Sequence, residues 1–184
     1  DVLNDNPKEY IEFLQKAGNN EDTEVVHYAV TAMVEISKEN DYKLQDFERQ
    51  YSADSEDTTV LEQYTDFLWN CLSQNLMQGQ VEVLNRELFS SLIQKKIALV
   101  NPSIDDFKRA IENELKRKNF TQASITLREM KKLYPDSEEY YLSRLDYLAS
   151  LGRGDDIKSL INEIYKRNIF LSSKTKEVLA FWES

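Results

Sequence analysis

From residue 104 onward the sequence returns to the same apolar pattern every 34 residues, and a fixed period of that length confines a chain to architectures that stack one small unit. Residues 104–137 laid over 138–171 place Phe107 on Tyr141, Ile111 on Leu145, Ala123 on Ile157, Leu127 on Ile161 and Met130 on Ile164. The break inside the unit also coincides, with Lys118-Asn119-Phe120 opposite Gly152-Arg153-Gly154. Within each half of the unit apolar residues recur at spacings of three and four, the signature of a helix with one buried face. The spacing therefore predicts two antiparallel helix pairs lying side by side, with Ala123 and Ile157 at their closest crossings.

The rest of the chain reads as helix too. With 4 Gly and 3 Pro in 184 residues there is too little punctuation for sheets joined by hairpins. Asn6-Pro7 opens a short helix anchored by Tyr10, Ile11, Phe13 and Leu14 and ended by Gly18-Asn19-Asn20. A second starts at Asp22 or Thr23 with Val25, Val26, Ala29, Ala32, Met33 and Ile36 along one side. Its stripe continues through Leu44, Phe47 and Tyr51, either as one long helix or with a break at Asn40-Asp41. The polar, acidic loop from Ser52 to Asp57 is the best boundary in the chain, giving an acidic helical pair at 1–57 and repeats at 58–184. Leu61, Tyr64, Leu68, Leu72 and Leu76 mark a further helix before Gly79. Val81, Leu84, Leu88, Leu92 and Ile93 then mark one that runs to Leu99 and stops before Asn101-Pro102.

Charge narrows the partners. Residues 1–64 hold 16 of the 33 acidic side chains and 5 of the 23 basic ones, so the first third repels phosphate backbones and nucleic acid is not an expected partner. No stretch approaches the roughly 18 apolar residues of a membrane span, so this segment is not expected to insert. Cys71 is the one cysteine and has no second thiol to pair with, which fits a reducing cytoplasm. The sequence opens on Asp1 rather than Met and so reads as part of a longer chain, which leaves a membrane tether through segments outside it open.

Residues able to carry chemistry are few. His27 has no second imidazole, and Cys71 lies in "LWNCLSQNL" with no basic neighbour to activate it, so both read as helix residues. Asp105-Asp106, Glu138-Glu139 and Asp155-Asp156 each fall in the first turn of an expected helix, where carboxylates complement the helix dipole. Gly152-Arg153-Gly154 follows a helix rather than a strand and is a turn, not a phosphate loop. These readings imply a protein that is not an enzyme and needs neither metal nor cofactor.

The 34-residue unit resembles the tetratricopeptide repeat, most closely over "NFTQASITLREMKKLYPDS". Phe120 and Ala123 stand at the family's aromatic and small positions of the helix crossing, and Met130, Leu133 and Pro135 at its closing apolar, Leu and Pro positions. Ile111 stands for the common Gly, Ile157 for the small residue and Ile169 for the closing Pro, so the second copy is degenerate. Lys176, Val178, Leu179 and Trp182 follow Ser172-Ser173 as a capping helix, and residues 58–100 form a looser pair. "DTEVVHYAVTAMVEI" is more similar to a helix of a HEAT-type repeat. The resemblance implies an all-α, right-handed α-solenoid of about nine helices, made of tetratricopeptide-like pairs with a HEAT-like pair in front.

In such a stack the first helix of each pair lines a concave groove. Lys108, Arg109, Glu112 and Lys116 would then face inward, followed by Leu142, Ser143 and Asp146 from the next pair. A groove of this composition suits an extended or helical peptide of acidic character. Glu112 and Ser143 stand where carboxylate-clamp members of the family carry Asn, so capture of a chaperone tail is not expected.

The order of a HEAT-like "HYAVTAMVE" helix, a long polar helix and tetratricopeptide-like pairs is similar to the cytoplasmic region of the membrane-anchored repeat proteins of bacterial Pel-type exopolysaccharide synthesis. That resemblance implies a scaffold or adaptor holding the glycosyltransferase and membrane subunits of a polysaccharide synthase. A self-assembling helical module, pairing with a second copy as a homodimer, and an enzyme using a helical-bundle cleft are the rival readings.

Overall fold

The computed structural model describes residues 7–99 and 101–183, and every regular element among them is an α-helix. In chain order these are α1 (Pro7–Ala17), α2 (Thr23–Ala53), α3 (Thr58–Ser73), α4 (Gly79–Leu99), α5 (Ile104–Lys116), α6 (Phe120–Leu133), α7 (Glu138–Ser150), α8 (Gly154–Lys166) and α9 (Ser173–Glu183). The expectation that Asn6 opens the first helix falls outside the described residues. No helix among those described is long and apolar enough to cross a membrane. The chain divides into two compact units, Asp1–Phe89 and Ser90–Ser184, with the division inside α4.

In the first unit α1 packs on α2 and α2 on α3. Asp22 caps α2 by accepting from the Glu24 N–H at 2.9 Å, and the helix runs unbroken through Asn40-Asp41 to Ala53. Its later turns are held by ring contacts, because Phe47 stacks on Tyr64 with centroids 5.7 Å apart and leans on Phe67 at 5.6 Å. Leu61, Tyr64, Leu68 and Leu72 of α3 are buried at the expected helical spacing. The expected face of α4 holds in its second half, where Leu92 and Ile93 are buried, and needs correction in its first: Val81, Leu84 and Leu88 are exposed, while Arg86 and Phe89, with Lys96 further on, are buried. The Trp69 and Phe89 rings meet at 5.1 Å, which sets this face inward and turns the Val81–Leu88 stripe out.

The second unit is built from two hairpins and a closing helix. Helix α5 packs on α6, α7 on α8, and α8 on α9, while α7 also packs on both α5 and α6. Phe107, Ile111, Leu127 and Met130 from the first hairpin share one core with Tyr141, Leu145, Ile157, Ile161 and Ile164 from the second. Ala123 and Ile157 are both fully buried. The 34-residue period extends to the backbone of the turns. Lys118 and Gly152 both hold left-handed φ, +57° and +67°, after the last turns of α5 and α7. Each helix end closes the same way, with Asn119 N–H donating to the Glu114 carbonyl and Arg153 N–H to the Leu148 carbonyl. Ser103 and Ser137 cap α5 and α7, again 34 apart.

Candidate functional site

Helices α5 and α7 lie beside each other and leave an open recess of about 520 Å³ between them. One rim is a single face of α5, where Lys108, Glu112 and Lys116 recur every fourth residue. The other is the face of α7 carrying Leu142, Ser143 and Asp146, and continuing to Ala149 and Ser150. Ile111 and Leu115 form the apolar floor. Six of the seven residues expected in the groove from sequence are thus brought together. The seventh, Arg109, is half-buried on α5 and does not line the recess, because one residue further along a helix turns the side chain by about 100°.

Sequence reasoning passed over the floor and the Ala149-Ser150 end. The signal was present at the helical neighbours of the chosen positions: Ile111 and Leu115 each precede a chosen α5 residue, and Ala149 and Ser150 follow Asp146 by one turn.

The charges alternate in sign across the recess. The Lys108 ammonium donates to Asp105 at 3.2 Å, and that of Lys116 lies 3.4 Å from Glu112. Both pairs are exposed and formed within one helix, a geometry that contributes little and yields readily to a competing anion. Asp146 has no such partner among the described residues. Desolvation by the walls of the recess, and then the nearby Glu112 carboxylate, hold its carboxyl above the ordinary aspartate range. The groove is therefore less uniformly basic than the run of lysines suggests, with two displaceable cations along α5 and an uncompensated carboxylate on α7.

The carboxylate pairs do occupy first turns of helices, and two of them do more than complement a dipole. Asp106 completes a capping box with Ser103 and receives Lys96 from α4 at 2.9 Å, both side chains being buried. Glu138 accepts from the Ser172 N–H and hydroxyl, each at 2.7 Å, and from the Thr175 hydroxyl, tying the start of α7 to the start of α9. Cys71 is buried in α3, where burial first, and then the charge of Asp41 against an opposing effect of Lys43, pushes the thiol up to about 11. His27 is exposed on α2 beside the Tyr28 ring. Comparison of the chain with protein-family models, with curated proteins and with solved structures finds no match in any of the three.

Proposed function

We propose that the chain is a non-catalytic protein-binding scaffold, an α-solenoid of tetratricopeptide-like pairs whose second unit seats a peptide segment between α5 and α7. The observation that supports this reading is the recess itself, with an apolar floor, polar rims on two helices and a length set by just over two turns of α5, from Lys108 to Lys116. Its ligand is a segment with an apolar residue for Ile111 and Leu115, a basic residue for Asp146 and acidic residues toward Lys108 and Lys116. The similarity to membrane-anchored Pel-type repeat proteins supplies a setting, in which the proteins held are the glycosyltransferase and membrane subunits of a polysaccharide synthase.

Selection of peptides from a random displayed library tests the groove directly. Selected peptides are expected to share an apolar residue flanked by charges of both signs and to lose about tenfold or more in affinity for Leu142→Asp and Asp146→Lys chains. Selected peptides that bind both variants as well as the parent would remove the groove from the reading.

A further inference from the structure

A second recess, on the opposite flank of α7, has a different chemistry. It lies among α6, α7 and the start of α8, with a volume of about 290 Å³. Each helix contributes a row. On α6, Ser124, Arg128 and Lys131 follow one another at helical spacing, and on α7 Tyr140, Arg144 and Tyr147 do the same. Arg153, in the turn before α8, closes the end.

Four cations thus meet one lining carboxylate, Asp156, in a chain whose formal net charge is −10. Two of the four are already engaged: Arg144 donates to Glu163 at 2.8 Å and Arg153 to Asp156 at 2.6 Å. Arg128 and Lys131, both exposed, form no ion pair among the described residues. With Arg144 and Arg153 paired, Arg128 and Lys131 leave the recess with a surplus of positive charge, which favours an anion there. Leu127 and Leu148 supply an apolar wall, and the half-buried Tyr147 a ring face.

We infer that this recess is a binding site for the phosphate group of a small phosphomonoester, with Arg128 and Lys131 as the principal anchors. A phosphomonoester carries close to two negative charges and three strong acceptor oxygens, which match two uncompensated cations and the remaining donors of Arg144 and Arg153. The volume stands just below the range for small-molecule sites, roughly 300–1,000 Å³. That leaves room for a phosphate and a group of nucleoside size or smaller against Tyr147, and too little for several residues of a peptide.

Isotope-labelled full chain titrated with phenyl phosphate, adenosine monophosphate, inorganic phosphate, adenosine and a phosphoserine peptide, and followed by amide NMR, tests the site. Phenyl phosphate and adenosine monophosphate are expected to give saturable shifts at Ser124–Lys131 and Arg144–Tyr147, with inorganic phosphate weaker and adenosine without effect. An Arg128→Gln/Lys131→Gln double variant is expected to weaken both by about tenfold or more. Arg153→Gln, from a different element, is expected to weaken them as well, while Lys108→Gln in the α5/α7 groove leaves them unchanged. Absence of saturable binding by either ester, equal affinity in the double variant, or tighter binding of the phosphopeptide than of the small esters would each overturn the assignment.

Discussion

Lys118 occupies a backbone conformation in which its Cβ crowds the following carbonyl, a cost of roughly 1–2 kcal/mol for an L-residue. The equivalent turn one period later uses Gly152, which has no Cβ to crowd. Lys118→Gly is therefore expected to stabilise the chain by about 0.5–1 kcal/mol, since the entropy gained by a freer unfolded chain offsets part of the relief. Gly152→Ala should destabilise by a similar amount, and a shift of urea midpoint in the same direction for both would contradict the left-handed assignment. The Lys96–Asp106 pair invites a pH test. Burial alone raises the Asp106 carboxyl, but hydrogen bonds from Lys96, from the Ser103 N–H and from its hydroxyl, with the Lys96 charge, outweigh it and leave the group below its ordinary value. The unfolded chain thus binds this proton more readily, so the stabilisation is complete above the unfolded carboxyl value of about 3.9 and is lost as pH falls through the lower folded one. Asp106→Asn should flatten the fall in stability between about pH 5 and pH 2, and Lys96→Met, which strands a buried carboxylate, should cost about 3–5 kcal/mol at neutral pH.

At the scale of the helix, equivalent positions are filled by different means. Ala123 and Ile157 share a register and are both fully buried, yet one is the smallest core side chain and the other among the larger. Matching the second copy to the first by Ile157→Ala is expected to cost about 2–4 kcal/mol in thermal or urea unfolding, because the surrounding core is already shaped around the longer side chain. A stabilising result would show the hairpins to be interchangeable. Most of the helices were legible in advance, since Pro, Gly and Asn punctuate them and their apolar residues recur at three and four. The inward face of the first half of α4 was not. Val81, Leu84 and Leu88 offer a clean apolar stripe, whereas the buried side is bounded by Arg86 and Lys96, and a pattern rule that sends charges to water rejects it. Their carboxylate partners, Glu82 and Asp106, reverse that rule, and the second of these comes from another helix. The α5/α7 groove was legible because the period fixes which helices are neighbours. The charge pairing within it was not, since the partner of a lysine depends on rotamers rather than on spacing.

Across the whole molecule, the two units differ in what they offer to chemistry. The one thiol belongs to the first, and with Cys71 buried and pushed up to about 11, little thiolate forms at pH 8. Alkylation by iodoacetamide at that pH is expected to run about a hundredfold or more slower than in urea, so the labelling rate becomes a readout of how often the first unit opens. Fast labelling of the native chain would contradict the burial. The second unit concentrates its polar recesses around a single element: α7 gives Leu142 and Asp146 to one flank and Arg144 and Tyr147 to the other. A rod bordered by two vacancies feels pressure from either side, and any sideways displacement that one guest imposes alters the room left to the other. Thermodynamic reciprocity then makes the exchange equal in both directions, so a guest on the first flank that loosens the second must itself be loosened to the same degree.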